Sequence, residues 1–231
     1  MIKNIKECTF DTDKAFFTSD THFSHKNILK GMTSWGTRPF STPEEHNDYL
    51  IEQWNKTVPE DGVVFHLGDF CFAGIQQWEN IRKRLNGKIH LVLGNHDLNN
   101  ISTNSERAQA LFEDITFQKI IYIDEQLIYL NHFPFLCMSG VYSYNYVHNH
   151  VHNHVHNHVH NRKPTWQLFG HVHSGPESKS TDVARLIHLF PTQYDVGVDN
   201  NQYTPLSFNK VKEIINKQIN DSNTKETGLG A

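Results

Sequence analysis

Ala15-Phe16-Phe17-Thr18-Ser19-Asp20-Thr21-His22 shows the pattern that organises this chain: a short apolar run ends in a turn and is followed at once by Asp and His. The same arrangement recurs downstream. Val63 to Leu67 runs into Gly68-Asp69, and Ile89 to Leu93 into Gly94-Asn95-His96-Asp97. Leu127 to Leu130 leads to Asn131-His132-Phe133-Pro134, and Gln167 to Phe169 leads to Gly170-His171-Val172-His173. Short apolar runs bounded by turn residues read as buried strands. Helical patterns lie between the early ones, which predicts βαβ units and a sheet with parallel strands. Ligands of open α/β sheets bind outside the carboxyl ends of the strands. If the sheet is continuous, all these polar clusters share one rim.

Working outward, the clearest helix begins at Ser41-Thr42-Pro43-Glu44-Glu45, where a hydroxyl cap, a first-turn proline and two acids suit a helix N-terminus. It is expected to run to about Asn55. A second helix is expected over Gln76 to Asn86, stopping at Gly87, with Ile75, Trp78, Ile81 and Leu85 at helical spacing. A third is expected from Lys210 to about Ile219, followed by a flexible polar tail over 221–231. Residues Val147 to Asn161 repeat V-H-N-H and form a low-complexity insert. It is read as an extended surface loop, because Val, His and Asn are all poor helix formers. Nothing in the tract supplies the hydrogen-bonding partners that orient ligands in a dedicated metal site.

Length and composition bound the rest. At 231 residues the chain can bury a sizeable core as one domain, expected over 1–220. A formal net charge of −4 offers no basic footprint for polynucleotides, so nucleic acid is not favoured as a partner. Cys8, Cys71 and Cys137 are odd in number and include no C-x-x-C pair, which argues against a disulfide framework. No apolar segment followed by a cleavage site opens the sequence, and no apolar run reaches membrane-spanning length. The expectation is a cytoplasmic protein without a membrane partner. Its oligomeric state is left open.

The clusters combine carboxylate oxygen, imidazole nitrogen and amide oxygen, a fairly hard ligand set suited to Mn²⁺, Fe or Zn²⁺ rather than Cu(I) or an iron–sulfur cluster. Asp20-x-His22 and His171-x-His173 each place two donors on one side of locally extended backbone. Any one cluster alone reads equally well as a turn or a helix cap. Together, at successive strand ends, they read as a metal site.

In these motifs the chain resembles the calcineurin-like metallophosphoesterase superfamily: D-x-H at Asp20 and His22, G-D at Asp69, G-N-H-D at Asn95 to Asp97, His132, and G-H-x-H at His171 and His173. Ser19 to Ile28 is similar to the form seen in small bacterial and phage phosphoesterases, and Asp195-Val-Gly-Val-Asp199 looks like their closing strand. The resemblance implies an α/β (α+β) four-layer αββα sandwich of the metallophosphoesterase type, with mixed sheets and a dimetal site at the strand C-terminal ends. It assigns Asp20, His22 and His173 to one divalent ion, and Asn95, His132 and His171 to the other, with Asp69 bridging. It implies two ions, Mn²⁺ first, with Fe, Zn²⁺ or Ni²⁺ as alternatives, and a bridging hydroxide as nucleophile. His96 is implied as the proton donor to the leaving group, with Asp97 orienting its imidazole.

Several residues stay open at this point. His25 contacts substrate phosphate or caps a helix start, and Arg38 clamps phosphate or lies at the surface beside a turn. Asn95 is a further candidate for substrate binding. Asn47 and Asn55 face the site or solvent, and His66 reads as a packed core histidine. The expected function is hydrolysis of a small, nucleotide-like phosphate ester, as a phosphodiesterase or phosphatase. The alternatives are a nuclease and a noncatalytic metal-binding scaffold on the same fold.

Overall fold

The structure is a computed structural model that describes residues 9–138, 140 and 163–227. The V-H-N-H tract, 147–161, lies outside the described residues. Nine strands and five helices are used below, numbered in chain order among the described residues.

Strands β1 (Ala15–Thr18), β2 (Val63–His66), β3 (Lys88–Val92) and β4 (Asp114–Thr116) run parallel in the order β4-β3-β2-β1, and β9 (Leu206–Ser207) adds an antiparallel edge beside β1. A second sheet takes the order β5-β6-β7-β8, from β5 (Gln118–Ile123), β6 (Gln126–Asn131), β7 (Trp166–Phe169) and β8 (Gln193–Asp195). Its first pair is antiparallel and the other two are parallel. The protein is therefore α/β with two mixed sheets, as the resemblance implies, and the condition of one continuous sheet is not met. The short β4 and the β5–β6 hairpin interrupt it, and strands 114–116 and 118–123 were not anticipated.

Side chains of a strand alternate between faces, and that alternation joins the layers. Ala15, Phe17, Phe65 and Val92 of the first sheet, with Leu67 just after β2, share one buried cluster with Ile121, Ile123, Ile128, Leu130, Trp166 and Leu168 of the second. Their neighbours Phe16, Val64, Ile89 and Leu91 point the other way, onto Leu50, Trp54, Trp78 and Ile81 of α1 (Pro43–Thr57) and α2 (Ile75–Arg82). Truncating a buried phenylalanine such as Phe65 to Ala is expected to cost about 3–5 kcal/mol.

Helix α1 starts as the sequence predicts, with Thr42 Oγ1 accepting from the Glu45 amide at 3.1 Å and Pro43 as the first helical residue. Helix α2 ends earlier than predicted. Beyond Arg82 the turns tighten to i→i−3 bonds, Arg84 to Ile81 and Leu85 to Arg82, and the Arg82 guanidinium takes the carbonyls of Leu85, Gly87 and Leu111. Short helices α3 (Leu98–Thr103) and α4 (Ser105–Gln109) follow β3.

The last helix, α5 (Phe208–Thr227), is longer than predicted and runs into the tail expected to be flexible. Phe208, Val211 and Ile215 bury it in the inter-sheet cluster. Beyond them, Ser222 and Thr224 hydroxyls bond the carbonyls one turn back, both at 2.9 Å. Among the described residues no helix is long and apolar enough to cross a membrane.

Candidate metal centre

Parallel β1, β2 and β3 end on one edge, and β6 and β7 end together on the other sheet, so the five polar clusters come from two sheets. Backbone bonds stitch these ends. Asp20 N donates to Gly68 O, Gly170 N to His132 O and Val198 N to Ser19 O, at 2.9, 3.0 and 3.1 Å. Three glycines let the loops approach. A Cβ on Gly94 would stand 2.2 Å from Asp69 Oδ1, one on Gly170 would stand 2.3 Å from Asp20 Oδ2, and one on Gly68 would stand 2.8 Å from His132 Nδ1.

The structure brings the predicted ligands into two clusters, Asp20, His22 and His173, and Asp69, His132 and His171, with the donor atoms of each within 4.8 Å of one another. Asp69 Oδ2 lies 3.5 Å from His22 Nε2 and 3.5 Å from His132 Nε2, between the two sets. Asn95 Oδ1 stands 3.1 Å from His132 Nε2, beside the second cluster. Asp20, His22, Asp69, His171 and His173 all have φ between +47° and +70°. Left-handed backbone is costly for residues with a Cβ, and such strain concentrates at functional sites.

The His132 and His173 rings each have a partner that fixes them. His132 Nδ1 donates to Leu67 O at 2.8 Å, and His173 Nδ1 meets Asp199 Oδ2 at 2.7 Å, so both turn Nε2 inward. Asp20 accepts the His171 amide on both oxygens, at 3.1 and 2.9 Å. His22 Nδ1 faces His25 Nδ1 at 3.2 Å, while the buried His22 Nε2 makes no hydrogen bond. An orphaned buried ring nitrogen 3.5 Å from the Asp69 carboxylate fits a cation, as does the mixed O/N donor set.

The electrostatics agree with that fit. Burial opposes charge on His132, but its bond to Asp69 and the charges of Asp20 and Asp69 push the imidazole up to about 9. Burial, with His173 and Arg38 nearby, holds His22 well below its ordinary range and therefore neutral. Burial pushes the Asp20 carboxyl up to about 6, against the pull of His173 and His132. A buried group of carboxylates and imidazoles sharing protons is what a cation would replace, since ligation requires deprotonated donors.

Two assignments are corrected. Arg38 is neither a surface residue nor a phosphate clamp. It is fully buried, and its five N–H groups are all used. Nε and Nη2 form a fork on Asp199 at 2.9 and 2.8 Å, Nη1 and Nη2 donate to the Thr21 and Asp20 carbonyls, and Nη1 also donates to His46 Nε2. It holds the strained Asp20–His22 turn from behind. Asp97 does not touch the His96 ring: its carboxylate accepts the amides of Asp69, Gly94 and Phe70 at 2.8, 2.9 and 2.9 Å, tying two ligand loops together.

His96 lies at the solvent side, with its amide on Asp69 Oδ1 at 2.9 Å and its Nε2 4.0 Å from Asp69 Oδ2. His25 precedes a short 3-10 turn, Lys26–Ile28, but its side chain caps nothing. It is buried, stacked on Phe72. Asn47 braces the loop after His22 through the Ser24 amide and hydroxyl, and Asn55 braces Asn86 and Arg84. His66 is a core residue bonded to Thr21 Oγ1. Sequence reasoning missed Asp199 as the partner of both Arg38 and His173. It also missed Asp195, which takes the Ser174 amide and hydroxyl beside His173.

No family model matches the chain. It is 40% identical over 86 residues to an uncharacterized protein of Methanocaldococcus jannaschii, covering 36% of this chain and 47% of that one. It is 34% identical over 85 residues to the gene 66 protein of Mycobacterium phage D29, covering 36% and 39%. The chain thus spans less than half the length of the curated relatives it matches. A solved protein of unknown function from Aquifex aeolicus shares the fold, at a TM-score of 0.57 and 23% identity over 87% of this chain and 98% of that one. At a TM-score of 0.39, the likeness to a Pseudomonas putida nuclease is too slight to bear on fold or chemistry.

Proposed function

We propose that the protein is a metal-dependent phosphoester hydrolase of the metallophosphoesterase type, a single domain on a four-layer αββα sandwich. The observation that carries this reading is Asp69, whose Oδ2 stands 3.5 Å from an imidazole of each cluster, the position of a carboxylate shared by two cations. Asp20, His22 and His173 would hold one ion, and His132, His171 and Asn95 the other. Mn²⁺ is the first choice for this hard donor set, with Fe, Zn²⁺ and Ni²⁺ as alternatives. Two such ions polarise a phosphoryl group and make water nucleophilic near neutral pH.

The chain's own residues do the rest. Asp199 and Leu67 O orient His173 and His132, and Asp97 fixes the two loops that carry Asp69 and Asn95. His96, exposed and beside the shared carboxylate, is placed to give a proton to the leaving group. The substrate is a small phosphate ester of the nucleotide kind. A polymer would need a basic groove, and the most basic stretch is already engaged: Arg82 caps carbonyls and Arg84 pairs with Asp48.

Mn²⁺-stimulated hydrolysis of bis-p-nitrophenyl phosphate is expected for the full chain, with most of it lost in Asp69→Asn while circular dichroism stays native. Undiminished turnover in that variant would overturn the shared-carboxylate assignment. No turnover in the parent with Mn²⁺, Ni²⁺ or Zn²⁺ would favour the scaffold.

A further inference from the structure

Large aromatic side chains usually lie inside a protein, and Trp54, Trp78 and Trp166 follow the rule at 4% exposure or less. Trp35 and Phe72 do not, at 48% and 44% exposed. Both stand at the edge of the metal centre. The Phe72 ring lies flat on the His25 imidazole, with centroids 3.6 Å apart and planes 6° apart. It is 5.0 Å from the His96 ring and 6.4 Å from His22. Trp35 stands 5.6 Å from the same His25. One ring, His25, therefore separates the exposed aromatics from a ligand of the Asp20 cluster.

These rings sit on fixed backbone. Phe72 N donates to Phe23 O at 2.8 Å. The loop carrying Trp35 is closed by bonds from Lys30 N to Arg38 O and from Thr37 N to Ile28 O, at 2.8 and 3.0 Å, and Lys179 Nζ holds Ser34 O at 2.9 Å. The two side chains give up the burial that the core aromatics enjoy, and they do so beside His25, with Phe72 also beside His96. Exposed π faces held rigidly next to a phosphate site recognise flat rings. Stacking of this kind accepts any base, because it reads the face and not the hydrogen-bonding edge.

Resting on the hydrolase reading of the same site, we infer that Phe72 and Trp35, backed by His25, form a stacking shelf for a planar aromatic group on the ester, a nucleobase or an aryl ring. Esters of small alkyl alcohols gain nothing from it.

The test uses phosphonates, whose C–P bond is not hydrolysed, with the Mn²⁺-loaded full chain: the methylenephosphonate analogue of AMP, phenylphosphonate and methylphosphonate. Trp35 is the one exposed tryptophan, so a ring on the shelf quenches fluorescence saturably. Calorimetry is expected to give each aromatic ligand a Kd at least about tenfold below that of methylphosphonate, the scale of a base–aromatic stack. That advantage is expected to collapse in Phe72→Leu and in Trp35→Leu and to survive in Phe72→Tyr. The tighter of the two aromatic ligands identifies the source of the ring. Equal affinity for all three phosphonates, or an undiminished advantage in both leucine variants, overturns the shelf. Because nothing is turned over, the two readings separate. A protein that prefers aromatic phosphonates yet cleaves no ester keeps the shelf and loses the hydrolase. Hydrolysis without aromatic preference does the reverse.

Discussion

Replacing Arg38 with Met keeps most of the side-chain volume and removes every donor. The fork on Asp199 is lost, as are the bonds at 2.8 and 2.6 Å to the carbonyls of Thr21 and Asp20. Asp199, whose side chain is 10% exposed, is left with His173 alone to balance its charge. Burial opposes charging Asp199, but the Arg38 guanidinium and the His173 bond hold its carboxyl far below the ordinary range. Breaking such a pair strands a buried charge at a cost of about 3–5 kcal/mol. Whole domains are stable by only about 5–15 kcal/mol, so a substantial share of the total is lost. Urea unfolding followed by tryptophan fluorescence is expected to show a large fall in midpoint with an unchanged slope. Mn²⁺ affinity should fall with it, because the left-handed turn at Asp20 and His22 loses its support. Arg38→Lys keeps the charge without the fork and should fall between. If Arg38→Met changed stability by less than about 1 kcal/mol, the scale of a surface pair, and raised KM alone, Arg38 would be a substrate clamp and this reasoning would fail.

Asp97→Asn puts an N–H group where backbone amides donate, and it should lower stability by about 1–3 kcal/mol in the same assay; an unchanged denaturation curve would contradict the loop-tying role. Gly170→Ala forces a Cβ against Ser19 Oγ and Asp20 Oδ2, at 2.0 and 2.3 Å. Its Mn²⁺ affinity by calorimetry should drop about 10- to 100-fold, the range seen when ligand-orienting contacts are lost, and parental affinity would show that this close approach is dispensable. Asp114 is half-buried, and although burial opposes its charge, His90 and Lys119 draw its carboxyl down to about 2. A depressed folded-state value gives stability that is present above the unfolded value near 3.8 and is lost as pH falls toward 2. The stability gap between parent and Asp114→Asn should therefore be widest at neutral pH and close between about pH 4 and 2; a gap independent of pH would refute it.

Much of the site was legible in the sequence because strand ends are punctuated there. Val63 to Leu67 followed by Gly68-Asp69, or Ile89 to Leu93 followed by Gly94-Asn95, announces both a strand and its edge. That punctuation marks the polar clusters, and the resemblance picked out of them the residues that the structure gathers into two groups. Partners distant in sequence were not legible. Arg38 and Asp199 are 161 residues apart, and Arg-Pro beside a turn looks the same whether the guanidinium faces water or the core. Asp97 was placed otherwise by the resemblance, which implied a partner for the His96 imidazole, whereas a carboxylate at a tight turn more readily takes the amides around it. The α5 boundary failed because Asp221, Ser222, Asn223 and Thr224 are weak helix formers, while the helix is held by residues 208–219 against the sheets. Phe72 and Trp35 gave no signal at all, since exposure of an aromatic side chain is a property of the fold.

The central claim is that two ions sit on either side of Asp69, and anomalous diffraction at the manganese edge from crystals of the full chain grown with Mn²⁺ tests it most directly. The account predicts two peaks flanking Asp69 Oδ2, one coordinated by Asp20, His22 and His173 and the other by Asn95, His132 and His171. Manganese peaks only elsewhere, with both clusters empty under saturating Mn²⁺, would contradict it.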